Sequence, residues 1–134
     1  PDLPLSHSAE AGAVLEARVC AHAPEYGLTY VSVDVGQLAI SARPLQVGTT
    51  TRVHVRARDV SLSLVRPERS SISNVLAGRV LDVHPDRDPA HRLVRVAVGG
   101  SVLLSRVTYR SIVELGIAPG LPLFAQVKSV ALVE

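Results

Sequence analysis

Apolar and polar residues alternate with a period of two through much of the chain. Between Thr51 and Arg58, Thr51, Val53, Val55 and Ala57 fall on one face, and Arg52, His54, Arg56 and Arg58 fall on the other. That pattern marks a strand with one buried face. Thr29, Val31, Val33 and Val35 repeat it, as do Val94, Val96 and Val98 with Arg95 opposite, and β-branched residues favour such pleated surfaces. Gly27, Gly36, Gly48, Pro67, Gly99-Gly100 and Pro119-Gly120 cut the runs into short strands. Gly99-Gly100, between "RVAV" and "SVLLSRV", predicts a tight hairpin, and His84 to His91 a longer exposed loop. The single helix-like segment is Tyr109 to Leu115, with Thr108 placed to cap its start and Gly116 to end it.

The chain also repeats itself. "VLEARV" (Val14 to Val19) returns as "VLAGRV" (Val75 to Val80), and "YVSVDVGQLAISA" (Tyr30 to Ala42) lines up with "LVRVAVGGSVLLSR" (Leu93 to Arg106). "RVHVRARDVSLSL" (Arg52 to Leu64) lines up with "LFAQVKSVALV" (Leu123 to Val133), which sets Arg58-Asp59 against Lys128-Ser129. Three matches in one order indicate a duplication, and two copies are too few for an open solenoid. The expected organisation is a first domain over 1–66 and a second over 67–134, with "RPERSS" (Arg66 to Ser71) as linker. The second copy is longer between Val107 and Gly120, where the first has only "RPLQVG" (Arg43 to Gly48). Short strands, frequent turns and one helix predict an all-β fold: two tandem OB-like five-stranded barrels, with the short helix in the second.

Composition narrows the function classes. Hydrophobic residues are 47% and charged ones 19% of the chain, outside the range of intrinsic disorder. No apolar run approaches the roughly 20 residues of a spanning helix, and no signal peptide opens the sequence, so a soluble domain is expected. Cys20 is the sole cysteine; no internal disulfide is possible, a cytoplasmic setting fits, and a buried small hydrophobe is its expected role. Thirteen arginines, Lys128 and a pI near 9.2 permit an anionic partner. Nucleic acid is not the expected one, because Tyr26, Tyr30, Tyr109 and Phe124 are too few aromatics for a base-stacking surface. His7, His22, His54, His84 and His91 are scattered, without metal-ligand spacing. Cys20 and His22, two apart on a predicted strand, have no orienting acid or oxyanion hole for catalysis. There is no G-x-x-x-x-G-K-[ST] phosphate loop, so the chain by itself is not expected to be an enzyme.

The second copy, "SISNVLAGRV" followed by "VGGSVLLSRVTYRSIVELGIAPGLPLFAQVKSVAL", resembles the Mop or molbindin domain. The phrase "RARDVSLSLVRPERSSISNVLAGRV" is similar, more narrowly, to the C-terminal regulatory region (TOBE-type) of the ATP-binding subunits of molybdate ABC transporters. The resemblance implies barrels that form a homodimer and hold molybdate or tungstate at their interfaces, with no cofactor. It implies as partners the nucleotide-binding domain of the same parent chain and, through it, a membrane permease, and so a place in the cytoplasm peripheral to the inner membrane. It leaves two other settings open: a free-standing molybdate-storage protein, and the sensing region of a molybdate-responsive regulator.

Residue by residue, the family's Ser-x-Arg-Asn falls on Ser71-Ile72-Ser73-Asn74, with Ser73 in place of the arginine. Its threonine falls on Thr108, and its Lys-Ser or Lys-Ala on Lys128-Ser129. Hydroxyls, a carboxamide and an ammonium suit a tetrahedral dianion, which offers only acceptors, and no carboxylate is among them. The second copy is therefore expected to carry the oxyanion site, with the first as scaffold or dimer surface.

Overall fold

The alternating runs form antiparallel strands, and the last strand of each repeat leaves its own copy to join the other. The computed structural model describes residues 11–133. In chain order the elements are β1 (Gly12–Ala23), β2 (Leu28–Val33), β3 (Gly36–Ser41), β4 (Thr50–Arg56) and β5 (Val60–Ser63). The second copy supplies β6 (Asn74–Pro85), β7 (His91–Val98), β8 (Ser101–Thr108), helix α1 (Tyr109–Leu115), β9 (Pro122–Val127) and β10 (Ala131–Leu132). The first sheet has the order β10-β4-β1-β2-β3 and the second β5-β9-β6-β7-β8. β5 pairs with β9, setting Val60 opposite Val127, and β10 pairs with β4, setting Leu132 opposite Val53. The two crossing segments touch, and the Lys128 N–H donates to the Asp59 carbonyl at 2.8 Å.

The duplication is visible in hydrogen bonds. β1 and β6 each carry a bulge at the same place, Cys20 between Val19 and Ala21 in one and Leu81 between Val80 and Asp82 in the other. The Val19 N–H donates to Thr49 O at 2.9 Å, and Val19 O accepts from Gly48 at 2.7 Å. Val80 repeats both bonds, donating to Leu121 O at 2.9 Å and accepting from Gly120 at 2.8 Å. Gly48 and Gly120 hold φ of 97° and 92°, a left-handed backbone that favours glycine. The ladders also correct two details of the alignment. Val31 opposes Val19 as Val96 opposes Val80, so Val31 corresponds to Val96, a two-residue slip that leaves the buried face unchanged. Val55 opposes Ala13 as Val127 opposes Asn74, so β4 and β9 correspond two residues off that alignment, whereas Leu62 opposes Ala125 as Leu132 opposes Val53, which keeps Leu62 against Leu132.

Both sheets curl into half-barrels over one shared core. Leu15, Val31, Leu38 and Val53 of the first sheet form one cluster with Leu76, Val96, Leu103 and Leu123 of the second. The curl stops short of a continuous ladder: β8 and β5, the outer strands of the second sheet, meet where the buried Ser105 hydroxyl donates to Val60 O at 2.7 Å. Gly99-Gly100 closes the Val98 and Ser101 pair as expected, while the loop expected from His84 to His91 is confined to residues 86–90, because His84 and Pro85 pair with Leu93 and Arg92. Cys20 differs from expectation. The bulge turns it to a half-buried position, where its thiol donates to Tyr30 O at 3.4 Å. Phe124 faces outward, half-buried under the Arg66 guanidinium 4.9 Å from the ring centroid. No helix among the described residues is long and apolar enough to cross a membrane.

Ser105→Ala should lower unfolding stability by about 1–2 kcal/mol, because the Val60 carbonyl loses a buried donor. Urea denaturation checks this. Removing residues 131–134 should speed amide exchange in β4 more than in β9, although β9 is the nearer strand in sequence.

Candidate functional site

Five of the six expected site residues lie where β6 begins and β9 ends. Ser71 and Ser73 are exposed in the segment that leads into β6, and Lys128 and Ser129 are exposed in the crossing segment after β9. Asn74 opens β6 opposite Val127, and at 8% exposure it is nearly buried. The local path has a polar cause: the Ser70 hydroxyl accepts from the Ile72 N–H at 3.1 Å. Asn74 is engaged at both ends of its carboxamide, its Oδ1 accepting from the Ala39 N–H at 2.8 Å and its Nδ2 donating to Ala39 O at 3.1 Å. Lys128 belongs to none of the ion pairs among the described residues.

Thr108 stands apart. It ends β8 opposite His91, with β7 between it and β6 in the sheet. As expected it caps α1, its Oγ1 accepting from the Ser111 N–H at 3.1 Å and its hydroxyl donating to Ser111 Oγ at 3.0 Å. Gly116 ends the helix at φ 65°. Thr108 borders a groove of about 250 Å³ with Ser61, His91, Arg106 and Ser111, and none of the other five expected residues lines it. Arg106 is paired with Asp86 at 2.6 Å and His91 with Asp88 at 3.2 Å, both acids lying outside the groove lining. No carboxylate lines this groove, whereas Glu16 lines both of the other main depressions and Asp34 one of them. Sequence reasoning missed Ser61, His91, Arg106 and Ser111. Ser61 could not have been found from its own copy, because only strand exchange brings it to the second sheet.

The strongest electrostatic feature is elsewhere. Asp82 forms a two-point pair with Arg95, Nε to Oδ1 at 2.8 Å and Nη2 to Oδ2 at 2.6 Å, and His84 Nε2 lies 2.8 Å from Oδ1. The Arg95 hydrogen bonds, aided by His84, hold the Asp82 carboxyl down at about 2, against partial desolvation that raises it. Among the described residues no three His, Cys, Asp or Glu side chains form a metal-ligating group; His7 lies outside them. Cys20 and His22 engage different partners. The His22 ring nitrogens meet Thr29 Oγ1 at 3.0 Å and Leu45 O at 2.6 Å.

The fold and the hydroxyl-lined groove beside α1, free of carboxylates, define a small all-β module. Residues 70–133 match the TOBE domain family. Over its full length the chain is homologous to the C-terminal part of molybdenum import ATP-binding proteins. It is 48% identical over 134 residues to ModC of Hahella chejuensis and 46% identical over 134 residues to ModC 2 of Azotobacter vinelandii, covering 100% of this chain and 37% of each relative. Against ModC of Pseudomonas aeruginosa it is 43% identical over 132 residues, 97% of this chain and again 37% of the relative. The chain thus spans little more than a third of the length of these relatives. Among solved structures, the cytoplasmic molybdate-binding protein ModG, in a form with molybdate bound, superposes with a TM-score of 0.73 at 23% identity. The match covers 90% of this chain and 92% of that one, and it shows a shared fold.

Thr108→Ala should remove the cap and destabilise α1 by about 1 kcal/mol, read as a lower midpoint in thermal melts. The Asp82 carboxyl is held below its unfolded value of 3.8, so its contribution is complete above that pH and is lost as pH falls through about 2. Its side chain is 35% exposed and that of Arg95 39%, so the effect is small and weakens with salt. Arg95→Ala should flatten the acid side of the stability profile between those two pH values.

Proposed function

We propose that this chain is the oxyanion-binding regulatory region of the ATP-binding subunit of a molybdate importer. The observation that carries the reading is full-length homology, at 43–48% identity in the relatives named above, to the C-terminal part of molybdenum import ATP-binding proteins. The surface chemistry supports it. A tetrahedral dianion needs several donors and no carboxylate; Ser71, Ser73, Lys128 and Ser129 expose such donors where β6 begins and β9 ends, and the Thr108 groove is lined without an acid. Molybdate or tungstate is the ligand, and no cofactor is needed for binding. ATP hydrolysis belongs to the nucleotide-binding domain upstream in the parent chain, which places this region in the cytoplasm, peripheral to the inner membrane through the permease.

The geometry of one chain also bears on assembly. Thr108 and the Lys128 cluster lie on separate parts of the second half-barrel. An anion held by both therefore draws Thr108 from one chain and Lys128 from another, in a homodimer built through the barrels. Occupancy would then favour one arrangement of the paired subunits and restrain import, provided the two arrangements differ in oxyanion affinity. The likeness to ModG keeps a free-standing molybdate-binding protein as the second reading. It rests on 23% identity, against 48% for the transporter relative.

Calorimetric titration with molybdate should give saturable binding that excess sulfate does not displace. Lys128→Ala and Thr108→Val should each weaken it at least tenfold, about 1.4 kcal/mol. Mixing the two variants should restore part of the binding, because a mixed dimer keeps one intact Thr108 and Lys128 combination. No binding by the unaltered chain would defeat the oxyanion reading. Loss in Lys128→Ala alone would confine the site to one cluster.

A further inference from the structure

Asn74 joins elements that no ladder joins. β3 is the outer strand of the first sheet, so alternate backbone groups along it have no neighbouring strand to meet. The Asn74 carboxamide meets one such pair, accepting from the Ala39 N–H at 2.8 Å and donating to the Ala39 carbonyl at 3.1 Å. A carboxamide sets a donor and an acceptor side by side as a peptide group does, so this side chain acts as one rung of an absent strand. In the matching place of the first copy the partners differ. The bulge and ladder registers put Ala13 in the position of Asn74, and the hairpin registers put Leu104 in that of Ala39. There Leu104 clusters with Ala11, Ala57 and Leu93, and the polar contact beside it is the Ser105 hydroxyl on Val60 O. The carboxamide clasp therefore exists on one side of the pseudo-symmetric pair, the side that leads into Ser71 and Ser73.

We infer that Asn74 is a positioning residue: it latches β3 to β6 and fixes where Ser71 and Ser73 enter the barrel beside Lys128. The latch stands on the hydrogen-bond geometry alone; its service to an anion rests on the oxyanion reading above. The reason is orientation. The Ala39 N–H and carbonyl fix the plane of the carboxamide in a nearly dry seam. Turning it to meet an anion would strip the Ala39 carbonyl of its donor and point Oδ1 towards negative charge; in the latched position only the second Nδ2 hydrogen is left over. Asn74 holds the neighbouring donors in place by staying bound to Ala39.

The deciding measurement is the through-hydrogen-bond scalar coupling between the Ala39 amide nitrogen and Asn74 Cγ, recorded by NMR on the unaltered chain with and without saturating molybdate. The correlation should be present and should persist at saturation. In Asn74→Ala the Ala39 amide should exchange at least tenfold faster than in the unaltered chain, while β9 amides keep their protection. Asn74→Asp keeps an acceptor for the Ala39 N–H and loses the donor to Ala39 O, so at pH 8 its protection should fall between the Ala variant and the unaltered chain and should rise in acid, relative to the unaltered chain at the same pH, where a neutral carboxyl regains a donor. If Asn74→Ala does not fold, the coupling and the acid recovery still decide. Disappearance of the correlation on adding molybdate, or unchanged Ala39 exchange in Asn74→Ala, overturns the inference. Failure of the unaltered chain to bind molybdate would instead count against the oxyanion reading and leave the coupling and exchange results to judge the latch.

Discussion

The exchange of β5 and β10 is the constraint on which the other features of this molecule depend. A curled sheet with an unpaired outer strand exposes both backbone groups and an apolar inner face. Here each repeat ends with the strand that completes the other sheet, so Val60 is buried beside Val127 and Leu132 packs over the core near Val53. Neither repeat holds a complete sheet of its own. The shared core follows, with residues of both sheets in one cluster. So does the composition of the Thr108 groove, one wall of which carries Ser61 and Leu62 from the first repeat.

Within that frame the two halves keep a common backbone and differ in chemistry. The bulges at Cys20 and Leu81 and the paired bonds at Val19 and Val80 conserve the bend that lets each sheet curl. The side chains on the outer faces have diverged. Glu16, Arg52 and His54 on the first sheet correspond in the ladder registers to Ala77, Phe124 and Gln126 on the second. The second half also holds α1, placed between β8 and β9, where the first half has only the connection from β3 to β4. Carboxylates thus border the depressions on the first sheet, while the groove by α1 is free of them. A carboxylate in the lining would repel a dianionic ligand.

The crossing segments are where the fold and the candidate chemistry meet. Lys128 and Ser129 lie in the passage from β9 to β10, and the Lys128 N–H is tied to Asp59 in the opposite passage from β4 to β5. Ser71 and Ser73 precede Asn74, which is tied to β3. Donors proposed to hold an anion are therefore attached by hydrogen bonds to elements of the first repeat. A change in their positions would be transmitted as a change in how the two sheets meet, the type of discrete mechanical link that coupling between sites requires.

Much of this was legible in the residues. Period-two alternation gave the strands and their buried faces, Gly99-Gly100 the hairpin, and Thr108 and Gly116 the two ends of α1, because each depends on bonds among near neighbours. The repeated "VLEARV" and "VLAGRV" foretold the matching bulged strands. Tertiary structure alone decided which repeat each fifth strand completes, since Val60 to Ser63 carries the same alternation whichever sheet it joins. It also decided the two-residue offset between β4 and β9, because such a slip leaves every side chain on its own face and so leaves no trace in the pattern. The employment of Asn74 was hidden for a similar reason. A carboxamide is equally suited to an anion or to a strand edge, and only the approach of Ala39, thirty-five residues earlier in the chain, determined which it met.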